Sequence, residues 1–171
     1  MITNRKLNRS QQGFTLLEIL VAVLVLSFGL LGLAGLQAAS IRSNHSAYLR
    51  TQATQLAYDM ADRMRANNAG VEGGYYNNPT LATTPSCYTA SGCTAMALAR
   101  DDAARWNAEL QALLPAGSAG VVCVDGTPLT GSPAAYGCDN AVGANYVVKV
   151  WWRDDPTNPS SFKQFVVNFR P

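Results

Sequence analysis

Residues 14–36 form the longest apolar run of the chain, FTLLEILVAVLVLSFGLLGLAGL, and Glu18 is the one charged residue within it. A helix rises about 1.5 Å per residue, so the run would extend about 35 Å, enough to cross a hydrocarbon core of about 30 Å with some tilt. The pattern therefore predicts a membrane-spanning helix at 14–36.

The helical pattern continues beyond the apolar run. Residues 37–66 contain neither Gly nor Pro, and the sequence NNAG at 67–70 is typical of a helix stop. We expect a single helix over 14–66, with 37–69 as its amphipathic continuation. Its apolar residues recur every three or four positions and predict one stripe: Leu49, Ala53, Leu56, Met60 and Met64.

A second helix is expected at about 94–114, after an irregular loop at 70–93 that is rich in Gly, Asn, Pro, Ser and Thr. Thr94 suits the N-cap position. The charged residues of this helix are expected to face solvent or to flank its apolar face: Asp101, Asp102, Arg105 and Glu109. The apolar face itself comprises Met96, Ala99, Ala103, Trp106, Leu110 and Leu113.

Segments rich in β-branched and aromatic residues predict strands at 120–124, 145–153 and 162–169, with a loose hairpin connection at 154–161. Antiparallel pairing gives a small sheet that buries the apolar stripe of the long helix. Alternation along the second strand places one of Trp151 and Trp152 in the core and the other outward, as a candidate subunit contact. The expected fold class is α+β: a long N-terminal helix packed on a small antiparallel sheet, with a second helix, in a globular domain over 70–171.

Composition and charge are consistent with a membrane segment. The chain is 48% apolar and only 14% charged, which is low for a soluble domain. Its formal net charge of +2 is uneven, because Arg5, Lys6 and Arg9 precede the apolar run with no acid beside them. The positive-inside rule keeps the N-terminus cytoplasmic and the rest of the chain in the periplasm of a bacterium. The chain after these basic residues is nearly neutral, so its charge does not indicate nucleic-acid binding.

The cysteines are confined to the C-terminal half, which favours disulfides formed in an oxidising compartment. Zinc binding is the alternative, weakened because there is no C-x-x-C pair and the only histidine, His45, lies far upstream. We expect Cys87 to pair with Cys93 across a small loop, and Cys123 to pair with Cys138 across the loop 125–137. Four cysteines nevertheless allow three connectivities.

Glu18 distinguishes the apolar run from a secretory signal peptide or a plain anchor. The run is longer than a typical signal core, and no small-x-small cleavage site ends it; a plain anchor leaves the acid unexplained. A carboxylate inside an apolar span costs about 2.5–3.5 kcal/mol on insertion scales, so it needs a partner. If the chain is cut between Gly13 and Phe14, the new α-amine of Phe14, with a reference pKa of about 7.7–8.0, can neutralise Glu18 within one chain or between neighbours.

The stretch GFTLLE at 13–18 resembles the class III signal of type IV prepilins and of type II secretion pseudopilins. The resemblance implies a basic leader at 1–13, cleavage after Gly13, N-methylation of Phe14, and Glu18 as the carboxylate that guides assembly. It also implies partners: the prepilin peptidase and N-methyltransferase, the major pilin, other minor pilins, and the assembly platform in the inner membrane. Such a protein spans the inner membrane once and then joins the pilus on the cell surface.

Two further stretches are similar to minor pilins of the type IV pilus: SFGLLGLAGLQ at 27–37 and WWRD at 151–154. That similarity implies a minor subunit that supports filament initiation and assembly, and with them twitching motility and adhesion. Two alternatives stay open. One is a pseudopilin of a type II secretion system, and the other is an adhesive subunit at the pilus tip whose loops 70–93 and 125–137 contact a surface.

No catalytic constellation stands out in the sequence. His45 is the only histidine, and no G-x-S-x-G, P-loop or H-E-x-x-H motif occurs. Asp154, Asp155 and Asn158 lack the spacing of a full calcium loop, which favours a solvated turn. We therefore expect neither an enzyme nor a bound metal or cofactor.

Overall fold

The computed structural model describes residues 13–155, 158 and 160–170. Residues 1–12 of the expected leader, including its basic residues, and part of the connection 154–161 lie outside the described residues. The described chain divides into two compact units, one ending at Asn44 and the other beginning at His45. Its elements in chain order are α1 (Leu16–Ala66), α2 (Asn68–Glu72), a short 3-10 helix (Pro85–Tyr88), α3 (Ala95–Leu113), β1 (Ala119–Val124), β2 (Tyr146–Arg153) and β3 (Phe162–Phe169).

The first unit contains the apolar part of α1, whose side chains are exposed. An 18-residue window of the helix has a mean hydropathy of 2.7, and none of that window is buried. The helix begins after Thr15, because the Glu18 N–H donates to the Thr15 carbonyl oxygen at 3.1 Å and to Thr15 Oγ1 at 3.2 Å. By length and composition, α1 is able to cross a membrane, as the sequence predicts.

The second unit is built on an antiparallel sheet whose order, within the described residues, is β1-β2-β3. Val148 of the central strand pairs with Val122 of β1 and with Val167 of β3, so β-branched residues meet across the sheet. The predicted α+β fold, a long apolar helix with a small antiparallel sheet and further helices, is thereby confirmed. The predicted stripe of α1 is buried in the same core: Leu49, Ala53, Leu56, Met60 and Met64.

The chain turns helical again directly after the predicted end of α1. The Asn67 side chain accepts a hydrogen bond from the Gly70 N–H at 3.2 Å and caps α2. The segment 70–93 is therefore less irregular than expected, because it contains the end of α2 and the 3-10 helix.

Helix α3 packs on the core through Trp106, whose Nε1 donates to the Leu56 carbonyl oxygen at 2.8 Å. Thr94 caps the helix as predicted, because its side chain accepts from the Ala97 N–H at 3.2 Å. Strand β1 passes close by: a Cβ on Gly120 would lie 2.3 Å from a ring carbon of Trp106. Position 120 therefore requires glycine.

Helix α3 differs from the prediction on both of its faces. Met96 and Leu113 lie in the first and last turns and are 39% and 47% exposed, so these two members of the predicted apolar face lie outside the core. Asp101 and Asp102, which were expected to face solvent or to flank the apolar face, are buried. The apolar face is thus shorter than predicted, and an acidic pair extends the buried surface.

The two acids are buried because the loop before α3 folds back over them. Tyr88 Oη and the Thr84 N–H donate to Asp101, and Tyr76 Oη donates to Asp102. Buried carboxylates are tolerated when hydrogen-bond donors surround them. The loop supplies those donors, and the same hydrogen bonds hold the loop against α3.

The second face of the sheet is also covered. Trp151 belongs to a cluster with Val121 and Cys123, and Tyr136 stacks on it with ring centroids 5.8 Å apart. Trp152 lies in the main core, so the predicted alternation is right. The prediction of an outward tryptophan as a subunit contact is wrong, because Trp151 is only 2% exposed beneath the loop that joins β1 to β2.

Candidate assembly site at the start of the first helix

The predicted cleavage site lies in non-helical backbone immediately before α1. Gly13 and Phe14 precede the first helical residue, and Phe14 is 79% exposed. Apart from the chain neighbours of Gly13, no described residue lies within 4 Å of the position that a Cβ on Gly13 would take. A peptidase acts on backbone outside a hydrogen-bonded helix, and the bond between Gly13 and Phe14 meets that condition.

Glu18 lies in the first turn of α1, four residues after Phe14. A carboxylate there is favoured by the positive end of the helix dipole, and Thr15 with Glu18 has the T-x-x-E spacing of a capping box. Among the salt bridges of the described residues, none involves Glu18. A free amine on Phe14 would place a cation about one helical turn before this carboxylate.

The surroundings of Glu18 are otherwise apolar. An unpaired carboxylate in hydrocarbon costs about 2.5–3.5 kcal/mol, so an amine that reaches this position is attracted strongly. Glu18 can therefore form one ionic contact with an amine, and the apolar side chains around it can pack against a neighbouring helix. The groove that contains the acid runs along one side of α1 and is lined by Phe14, Glu18, Ile19, Ala22, Val23 and Leu26.

The cysteines form the pairs that the sequence favoured. Cys87 is bonded to Cys93, and Cys123 is bonded to Cys138. The first disulfide closes the loop that folds over α3, and the second ties β1 to the loop that covers Trp151. Both bonds require an oxidising compartment.

A buried ion pair that sequence reasoning missed stabilises the loop between β1 and β2. Lys149 and Asp125 form a salt bridge in which both side chains are fully buried. Lys149 Nζ also donates to the carbonyl oxygens of Thr130 at 3.0 Å and of Tyr136 at 3.1 Å. The sequence does contain a sign of this pair, because Lys149 lies in the middle of the apolar strand YVVKVWWR. A lysine buried in such a strand needs a counter-charge.

The buried acids of α3 accept hydrogen bonds that tie the preceding loop to this helix. Asp101 accepts hydrogen bonds from Arg105 Nε and from Tyr88 Oη, each at 2.7 Å. Burial opposes ionisation of Asp101, but hydrogen bonds from a loop N–H, Tyr88 and Arg105 outweigh it and lower the pKa of this carboxyl. Burial raises the pKa of Asp102, although a hydrogen bond from Tyr76 acts in the opposite direction.

The structure brings together Phe14 and Glu18 at one end of α1 but leaves the other polar candidates apart. His45 is exposed on α1, and none of the salt bridges among the described residues involves it. In the described part of the chain, no group of three or more His, Cys, Asp or Glu side chains is placed to hold a metal ion.

Comparison with known families gives two adjoining matches. Residues 8–34 match the prokaryotic N-terminal methylation motif, and residues 35–104 match a family described as type IV pilin Tt1218. Searches of curated proteins and of solved structures gave no match. The chain therefore matches the N-terminal methylation motif near its start, and the segment that follows is similar to a family of type IV pilins.

Proposed function

We propose that this chain is a subunit of a type IV pilus, cut after Gly13, N-methylated at Phe14 and incorporated into the filament through α1. One observation carries the proposal: the methylation motif at 8–34 coincides with an exposed apolar helix that holds a single acid near its start. Pilins are structural subunits, so we assign this chain no catalytic activity and no cofactor.

The assembly step follows from the chemistry of the first turn. Cleavage creates a cationic amine on Phe14, and Glu18 is the carboxylate that can neutralise it within one chain or in a neighbouring subunit. Between subunits, the pair sets the axial step, because only one register places an amine beside each acid. The exposed apolar side chains then pack against neighbouring helices once the subunit leaves the lipid.

The proposed topology places the leader in the cytoplasm, residues 14–36 in the inner membrane and later in the filament core, and residues 37–69 as the continuing helix. Residues 70–171 then form the periplasmic domain. The two disulfides support this side of the membrane, because they need an oxidising compartment. The prepilin peptidase and N-methyltransferase, the inner-membrane assembly platform and other pilins are the proposed partners.

Within the family, we propose a minor subunit similar to PilV, the type IV pilus modification protein. Its role would be to support initiation and assembly of the filament, on which twitching motility and adhesion depend. The stretches at 27–37 and 151–154 carry this resemblance. A pseudopilin of a type II secretion system shares the same signal, and a tip adhesin would use the loops 70–93 and 125–137.

Mass spectrometry of the protein purified from sheared filaments tests the proposal. We expect a chain that begins at Phe14 and carries the mass of one added methyl group. A chain that keeps residues 1–13 in functional filaments would refute the processing step. Deletion of the gene separates the two systems: loss of twitching with intact protein secretion supports the pilus, and the reverse supports the pseudopilin.

A further inference from the structure

The two edges of the sheet differ in the part of the chain that the structure describes. At the outer edge of β1, the Val124 N–H donates to Asn77 Oδ1 at 3.0 Å, and the Val124 carbonyl oxygen accepts from the Asn140 N–H at 3.1 Å. The Val122 carbonyl oxygen accepts from the Asn78 N–H at 2.8 Å. Loop segments before and after β1 therefore cover this edge.

The pairing register shows which backbone groups of β3 point outward. The N–H and C=O of one residue point to the same side of a strand, and those of the next residue point to the other side. Because the Val122 carbonyl points away from β2, its partner Val148 directs its own groups toward β3, where Val167 is opposite. Every second residue of β3, counted from those next to Val167, therefore points away from the sheet: Gln164, Val166 and Asn168. No hydrogen bond between described residues pairs these outward backbone groups.

Strand β3 is apolar and half-buried on both of its faces. Phe165 and Val167 pack at the margin of the main core, and Phe162 and Val166 pack at the margin of the cluster on the second face. The strand contains neither Pro nor Gly, and Lys163 near its start is its one charged residue. It therefore lacks most of the features that protect an edge strand from pairing.

We propose that the free edge of β3 binds an extended segment of a partner polypeptide, which adds as a further antiparallel strand. Another extended backbone offers donors and acceptors at the spacing of those on β3. The half-buried side chains on both faces require apolar residues at the centre of the segment. Lys163 lies near one end of the edge and Arg170 just after the other, with no acid between them, so a carboxylate is favoured at each end of the segment.

A second copy of this chain does not fit the edge. Its β1 edge is already covered, so the two different edges cannot join. Antiparallel pairing of β3 with β3 of another copy would reverse the part of α1 at 45–66 that packs on the sheet. Under the proposed topology, on which this exclusion rests, all copies enter one membrane in the same direction. The occupant is therefore a strand of another polypeptide, which goes beyond the assignment as a pilin.

Nuclear magnetic resonance of the ¹⁵N-labelled full-length protein in detergent micelles tests the proposal. In the protein alone, the amides of Gln164, Val166 and Asn168 should exchange with solvent at least about tenfold faster than those of Phe165 and Val167, which face β2. The probe is the peptide acetyl-Asp-Val-Thr-Val-Thr-Val-Val-Asp-amide. At saturation, we expect the outward amides to shift and their exchange to slow by at least about tenfold.

Two control peptides carry N-methyl groups on alternate residues of the same sequence. When the Asp residues lie opposite Arg170 and Lys163, the amides of the third, fifth and seventh peptide residues donate to β3. Methylation of these amides should weaken binding at least about tenfold, a difference of about 1.4 kcal/mol. Methylation of the second, fourth and sixth amides, which lie on the outer edge of the added strand, should not.

Val166→Pro tests the same edge from the side of the protein. Proline removes an N–H that the fold does not use, so the sheet should persist, as shown by slow exchange of the β2 amides. Peptide binding should fall at least about tenfold, because the ring blocks the added strand. Val166→Thr keeps the N–H and should bind as the wild type does. If Val166→Pro does not fold, the two methylated peptides still decide the question.

The proposal is wrong if the outward amides do not shift at the highest soluble peptide concentration, or if the two methylated peptides bind equally. Unchanged binding to a folded Val166→Pro variant would also overturn it. Slow exchange of the outward amides in the protein alone would assign the edge to a second copy if light scattering gives a dimeric mass, and to a segment of the same chain if the mass is monomeric. None of these results depends on removal of the leader, so they are separate from a failure of the proposed processing.

Discussion

Replacing Asp125 with Asn leaves the Lys149 ammonium buried without its counter-charge. Both side chains are fully buried in the native fold. Breaking such a pair by removing one partner costs about 3–5 kcal/mol, because the remaining charge cannot be hydrated. We therefore expect Asp125→Asn and Lys149→Met each to lower the free energy of unfolding by about this amount.

The double variant separates the charge effect from the loss of hydrogen bonds. With both charges removed, no ion is left alone in the core, so the two losses should not add. Lys149→Met also removes the hydrogen bonds to the carbonyl oxygens of Thr130 and Tyr136. The double variant should therefore remain less stable than the wild type. We expect the double variant to be more stable than the sum of the single losses predicts, by about 2 kcal/mol or more.

Urea unfolding of the full-length protein in detergent, with disulfides intact, measures the three variants. Tryptophan fluorescence is sensitive to the loop that the ion pair stabilises, because Trp151 stacks on Tyr136 of that loop. Additivity of the two single losses to within about 0.5 kcal/mol, as for independent sites, would refute the coupling. Single losses below about 1 kcal/mol would show that the pair is hydrated in solution.

Four further changes test other features. Gly13→Ala should slow or stop removal of the leader, visible as a heavier chain by mass spectrometry, and normal shortening would move the cleavage site. Glu18→Ala should leave membrane insertion intact but lower filament incorporation, measured in sheared pili, and normal incorporation would remove the role of the acid. Folding lowers the pKa of Asp101, so its carboxylate stabilises the fold at pH values above 3.8, the pKa expected in the unfolded chain. This stabilisation is lost as the pH falls through the pKa of the folded protein. Asp101→Asn should therefore lose stability less steeply in acid than the wild type does, as measured by circular dichroism. Gly120→Ala should cost about 1–3 kcal/mol in a urea titration through overpacking against α3, whereas Gly35→Ala, whose Cβ would meet nothing within 4 Å in the described chain, should not.

The long helix and its stripe were predictable because they depend on local periodicity. Leu49, Leu56 and Met60 lie on one helical face whatever they pack against, and any sheet that covers that face buries them together. The N-cap role of Thr94 was equally predictable, since this cap is a hydrogen bond between residues only three positions apart.

The buried acids of α3 and the covered tryptophan were not predictable in this way. Asp102 is buried because Tyr76, 26 residues earlier, donates to it. Trp151 is covered because Tyr136 reaches it from a loop that a disulfide and an ion pair hold down. Hydrophobic patterning identifies the surface that has to be covered but does not identify the loop that covers it.

The sequence by itself determined the apolar run, its lone acid, the signal that precedes it and the order of the two long helices and the three strands, since each is a property of neighbouring residues. Only the tertiary structure decided the fate of the polar side chains. Lys149 pairs with Asp125 in the core, and the Trp106 indole donates to the carbonyl oxygen of Leu56. The physical reason is that burial and hydrogen bonding depend on groups far apart in the chain, which meet only when the loops close over the sheet.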